Sequence, residues 1–182
     1  MDQHNRGKII GVVLRPVNVY GVGMKGNIDL LIRLISKGLL PKLPSLDNRL
    51  SMLCVKDLSL AISLSLKSEQ ANGKTYLITD GQQYSISAIE REIYVAVGKK
   101  MSRWRMPRML VYFMFSASDL LGRILRVFRL NIPIIGNLNL RTYKRLVSDN
   151  LYENNEICDE LLFKPKATFY SELPKIVEKI NH

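Results

Sequence analysis

Few side chains in this 182-residue sequence have the types and spacing that chemistry demands. Cys54 and Cys158 stand far apart, with no companions at metal-ligand spacing. His4 and His182 are the only histidines and lie near opposite ends, so no metal centre is expected. Gly21, Gly23 and Gly26 have the G-x-G-x-x-G spacing of a phosphate-cradling turn. That pattern needs a strand before it and an acidic residue closing the next strand; here it reads as following a loop, with no such acid. A helix start at Asn27 suits an anion better, because free amide N–H groups and the helix dipole gather positive charge there.

Charge points the same way. The formal net charge is +11, and it is local: residues 99–145 carry 11 basic side chains against one acidic, Asp119. An anionic partner at one place is implied, not a uniformly cationic protein. Within this basic segment, residues 107–130 read as a long helix starting at Pro107. Arg123, Arg126 and Arg129 share one face of it, and Met109, Leu110, Phe113, Leu120, Leu121 and Ile124 supply an apolar one. Such a helix is a core element with a solvated basic side, or a peripheral contact with anionic lipid headgroups. No nucleic-acid motif accompanies the charge. The longest apolar run, Met109 to Ala117, is about half the ~20 residues that span a bilayer. Two isolated thiols and a polar first stretch fit a reducing, cytoplasmic compartment.

The elements that must position these groups alternate. Lys8–Leu14 is a continuous apolar run of the kind buried on both faces of a parallel sheet, ending at Arg15-Pro16 in a loop over 17–23. A helix follows from about Asn27 to the terminator Gly38. Ser51–Val55 reads as a strand, Asp57 as the cap of a helix over Leu58–Lys67, and Lys74–Thr79 as a strand. Ser87-Ala88-Ile89-Glu90 has the capping-box pattern for a helix to Val97. Short helices over Glu156–Leu162 and Phe169–Lys179 close the chain. Alternation of this kind gives an α/β class.

Four segments, in order, carry a more specific likeness. They are Leu14-Arg15-Pro16-Val17-Asn18-Val19-Tyr20-Gly21-Val22-Gly23; Gly26-Asn27-Ile28; Asn48-Arg49-Leu50-Ser51 through Val55-Lys56-Asp57-Leu58; and Gly73-Lys74-Thr75-Tyr76 through Asp80-Gly81. Together they resemble the extended short-chain dehydrogenases, the NAD-dependent nucleotide-sugar epimerases and dehydratases, over residues 8–100 and more loosely over 140–182.

The resemblance implies the C-terminal part of a Rossmann-type fold. Residues 1–26 would end the NAD-binding domain, and 27–182 would form the smaller substrate-binding domain with its basic segment. It implies a UDP-sugar-type substrate, with Asn18 on the diphosphate, Asn27 and Ile28 at the supporting helix start, and Arg49 near the family's diphosphate arginine. Leu50 occupies the place directly before the serine where that arginine normally stands. Pro16 and Val17 would border the NAD (or NADP) cofactor. The family's Gly-rich cofactor turn and its Tyr-x-x-x-Lys pair, in which lysine lowers the tyrosine pKa for proton transfer, have no counterpart; no tyrosine here has lysine four positions on. The resemblance therefore implies a chain without its N-terminal half, inactive by itself, that does not bind the cofactor alone. Its activity when whole would be 4-epimerisation in surface polysaccharide biosynthesis. The alternatives are a 4-keto reductase or dehydratase, or a non-catalytic binding or membrane-surface module.

Overall fold

The computed structural model describes residues 11–40, 42–44, 48–101, 105, 107, 109, 110, 113, 116, 117 and 149–181. The start of the strand expected from Lys8, and most of the basic segment, lie outside them. Val13–Pro16 forms β1 and Asn18–Tyr20 forms β2, separated only by Val17. The extended run therefore continues through the stretch expected to be a loop, because the chain changes partner without changing direction. β1 pairs in parallel with β4, Thr75–Ile78, and the Val17 N–H still donates to the Ile78 carbonyl at 3.2 Å. From Asn18 onward the run pairs in parallel with β3, Arg49–Cys54, with Asn18 opposite Met52 and Tyr20 opposite Cys54. Proline is tolerated at position 16 because alternate residues, Val13 and Val17, turn their N–H groups to the β4 side, so Pro16 lacks only a donor that would point outward.

After a glycine loop comes α1, Asn27–Lys37, which ends at Gly38 in the left-handed conformation at φ 71°. Helix α2 covers Val55–Lys67 and begins two residues before Asp57. Asp57 is therefore not the cap. It lies buried in the first turn, and its carboxylate accepts the backbone N–H groups of Lys166 and Ala167, both at 3.1 Å. A 3-10 turn, Glu69–Ala71, leads into β4. Strand β5, Gln83–Ser85, pairs antiparallel with the start of β3; its three residues are too few for a period to show in sequence. Helix α3, Ile86–Ala96, is capped by Ser85, whose hydroxyl accepts the Ala88 N–H at 3.1 Å. The cap sits two residues earlier than the Ser87 pattern suggests. Glu90, expected to reach back to that cap, is buried and accepts the Leu43 N–H at 2.7 Å. Helices α4, Asn155–Leu161, and α5, Phe169–Asn181, complete the order.

Two apolar cores form on opposite faces of β3. Leu50, Met52 and Cys54 join Tyr20, Ile32, Ile35, Ile89, Ile93, Phe169 and Leu173 under α1, α3 and α5. Leu53, on the other face, joins Ala61, Tyr76, Ile78, Ile157 and Phe163 under α2 and α4. A strand with apolar side chains on both faces is the signature of a sheet sandwiched between helices.

Candidate functional site

The run from Pro16 to Asn18 is where the two sheets meet. The carboxyl ends of β1 and β4 abut the amino ends of β2 and β3 there, since all four run the same way. In open α/β sheets, ligands bind outside the carboxyl ends of the strands, where the connections diverge. Pro16 and Asn18 are exposed at this junction, and Val17 is half-buried against the α2 side.

Beneath Asn18 the strand is fixed by a buried polar cluster. Tyr20 donates its hydroxyl to Asp80 Oδ2 at 3.0 Å, and Tyr84 donates to the same oxygen at 2.6 Å. Asp80 Oδ1 accepts the Gln82 N–H at 3.0 Å. The Tyr84 oxygen in turn accepts the Phe169 N–H at 3.0 Å, so the head of α5 is tied to the sheet. Burial raises the Asp80 carboxyl above its ordinary range, against the three hydrogen bonds that favour its ionised form. Burial and the facing carboxylate push both tyrosine hydroxyls far up, so neither can act as a base. These are structural tyrosines. A similar staple holds α4: Glu160 accepts from Lys74 Nζ and from the Tyr76 hydroxyl, each at 2.6 Å. Burial, with this bond second, pushes Tyr76 up to about 12.

Asn27 is the first residue of α1 and is exposed; Ile28 beside it packs on the core. The residue before them, Gly26, takes φ 127° and leaves the helix start without a side-chain cap. Arg49 is exposed at the amino end of β3, with Nη1 donating to Gln83 Oε1 at 3.1 Å and its backbone N–H to Asp149 Oδ1 at 2.7 Å. Because side chains alternate along a strand, Arg49 leaves on the Leu53 face, whereas Asn18 shares the Met52 face with Tyr20 and α1. Leu50, in the place of the expected arginine, is buried in the α1 core.

No family model matches the sequence. A search of curated proteins finds the UDP-glucose 4-epimerase of Vibrio cholerae, 29% identical over 127 residues, covering 66% of this chain and 38% of that enzyme. Among solved structures, the UDP-glucose 4-epimerase of Thermotoga maritima, determined with UDP-glucose, superposes with a TM-score of 0.61 at 14% identity, over 93% of this chain and 45% of that one. The Bordetella bronchiseptica enzyme WbmF, determined with NAD+ and UDP, gives 0.63 at 18% identity, over 98% and 47%. This is the fold of the extended short-chain dehydrogenases. The chain spans less than half the length of each of these three relatives.

Within the extended short-chain dehydrogenase fold, a dinucleotide cradle consists of a strand, a glycine turn and a helix start, with an acidic residue ending the next strand. Gly21, Gly23 and Gly26 do stand between a strand, β2, and a helix, α1, a context that the sequence had concealed. The neighbouring strand nevertheless ends in Cys54, not an acid. The nearby Asp57 has both oxygens occupied by backbone N–H groups. The space at Gly21 is filled by Val55, whose Cγ1 lies 2.6 Å from where a Cβ would sit. The described residues therefore do not build a pyrophosphate turn for NAD. Among them there is also no group of three or more His, Cys, Asp or Glu that could hold a metal, and no helix long and apolar enough to cross a membrane.

Proposed function

We propose that this chain is the C-terminal, sugar-nucleotide-binding portion of an NAD-dependent nucleotide-sugar 4-epimerase of surface polysaccharide biosynthesis. The observation that carries the reading is the placement of Asn18, exposed at the junction of the two parallel strand pairs, in a fold shared with enzymes determined with UDP and UDP-glucose. Asn18 offers its amide to the diphosphate, and the uncapped start of α1 at Asn27 and Ile28 offers backbone N–H groups on the same face of the sheet. Arg49 adds positive charge at the rim from the opposite face. Pro16 and Val17 border the cofactor that a complete enzyme holds. The described residues contain no Tyr-x-x-x-Lys pair, so the chain alone binds a nucleotide sugar without converting it.

Titration calorimetry of the purified chain with UDP, UDP-glucose and NAD tests this. Binding of UDP and UDP-glucose but not NAD, with no UDP-galactose formed, is the expected pattern. Failure to bind either uridine nucleotide would remove the reading. The rival reading, a basic membrane-surface module, is favoured instead if the chain sediments with anionic vesicles and ignores UDP.

A further inference from the structure

We propose that the exposed helix face of Met109, Leu110 and Phe113, with the cations gathered at the ends of α1 and α3, docks this chain on the surface of an anionic lipid bilayer. The surface draws on none of the residues that the sugar-nucleotide reading uses, so it adds to that reading and does not depend on it. Three stretches far apart in sequence supply the charge. α1 carries Lys37 in its last turn and stops at Gly38. The Lys99 amino group lies beside that stop, 3.4 Å from where a Cβ on Gly38 would sit. Lys99 and Lys100 are both exposed, and Met101 after them packs on the α1 core and fixes them at this end. Lys42 and Arg105 form an isolated parallel bridge, which brings the third stretch alongside. The carboxylate that acts on these two cations is Glu90, which is buried and accepts the Leu43 N–H at 2.7 Å. Its charge is turned inward, while Lys37, Lys99, Lys100 and Arg105 are exposed.

Apolar side chains follow directly. Met109, Leu110 and Phe113 are helical, and their spacing puts them on one helix face. A core helix buries such residues. Here Met109 is 74% exposed, Phe113 62% and Leu110 44%. Leu39, next to Gly38, and Val95, in the last turn of α3, are exposed as well. An apolar helix face accompanied by lysine and arginine is the composition of a helix that lies in a membrane interface. Charge complementarity chooses the occupant. A nucleic acid would take the cations, but its phosphates give the apolar side chains nothing to bury in. A second copy would cover the apolar face, yet it would set the basic cluster against its own duplicate. An anionic bilayer satisfies both parts, with headgroups for the cations and the acyl boundary for Met109 and Phe113. The contact is peripheral, since among the described residues no helix is long and apolar enough to cross a membrane.

The test is co-sedimentation of the full chain with vesicles of phosphatidylcholine alone and of phosphatidylcholine mixed with phosphatidylglycerol. Binding to the mixed vesicles, weakened by added salt, and little binding to the neutral ones are expected. Lys99→Glu with Lys100→Glu should weaken binding by about tenfold or more. Met109→Ser with Phe113→Ser leaves the charge unchanged and should also weaken it by about tenfold or more. Both pairs replace exposed side chains, so each variant should melt as the parent does. No sedimentation, equal sedimentation with neutral vesicles, or a serine pair that binds as the parent does would each overturn the proposal. So would self-association abolished by the serine pair, which gives the face to a second copy. Duplex DNA bound as tightly as the mixed vesicles, with no effect of the serine pair, would give the charge to nucleic acid instead. UDP binding is scored separately: vesicle binding without it counts against the sugar-nucleotide reading and leaves the docking surface standing.

Discussion

Asn18 and Arg49 leave neighbouring parallel strands on opposite faces, although Asn18 stands opposite Met52, only three residues along the strand from Arg49. Moving an arginine by one place in a strand sends its side chain to the other side of the sheet. The next place along, on the side of the sheet that Asn18 shares, is taken by the buried Leu50. The two polar groups that the resemblance pairs on one diphosphate thus contribute unequally.

Asn18→Ala should weaken UDP binding by about tenfold, the loss of one hydrogen bond to a charged group. Arg49→Ala should change it by about twofold or less, since an exposed cation is screened by solvent. Leu50→Arg does not rescue binding, because it would place a charge in the α1 core. Calorimetric titration of the three variants checks this ordering, and a larger effect at Arg49 than at Asn18 would refute the face assignment.

The Asp80 cluster predicts a pH dependence with a definite sign. The Asp80 carboxyl is raised above its ordinary value of 3.8 in the folded chain, chiefly by burial. The folded state therefore holds this proton more tightly than the unfolded one, and stability contributed by the protonated form falls as pH rises from about 3.8 through the folded pKa. Asp80→Asn should flatten that part of the urea-unfolding profile. Tyr84→Phe should cost about 1–2 kcal/mol, because it strips a donor from a buried carboxyl and an acceptor from the Phe169 N–H.

Glu172 behaves in the opposite sense. Lys56 at 2.8 Å and Lys175 at 3.0 Å hold it below its ordinary 4.5. Its contribution is present above that value and is lost as pH falls through the lowered pKa. Glu172→Gln should remove this acid-side loss, read as a shallower fall of melting temperature below pH 4.5.

Gly21 has φ 152° and meets Val55 Cγ1 at 2.6 Å from a virtual Cβ. Gly21→Ala should destabilise by about 1–3 kcal/mol through strain and overlap. Adding Val55→Ala should recover the overlap part and leave the backbone strain. Thermal melts of the two single variants and the double variant separate the two contributions.

Leu162 is the one described residue other than glycine with positive φ, 52°, and it ends α4 in the left-handed conformation while 75% exposed. Leu162→Gly should raise stability by about 0.5–1 kcal/mol, since glycine carries no Cβ penalty there and little packing is lost. A lower melting temperature would show that the leucine makes contacts worth more than its strain.

Long periodic elements were legible in the sequence. The spacing of Ile28, Leu31 and Ile35 with Gly38 behind them marks α1, and the Phe169 helix was readable in the same way. Three features were not. Partner exchange at Val17 is a tertiary event with no local signature, so β2 looked like loop. The caps at Cys54 and Ser85 were displaced because Asp57 and Glu90, the obvious capping acids, are drawn away to backbone N–H groups of distant segments. The face of Arg49 depends on strand register, which sequence spacing alone leaves open by one residue.

The bond between Tyr20 and the carbonyl of Ala167 spans 147 positions, and the Phe169 ring packs edge-on against Tyr20 with centroids 5.5 Å apart. During synthesis, the strand that carries Asn18 leaves the ribosome long before the helix that seals it from beneath. At about 5–20 residues per second, that interval lasts on the order of ten seconds. Over that time the β2–β3 face stays open to water and to chaperones, and it closes only once α5 has been made.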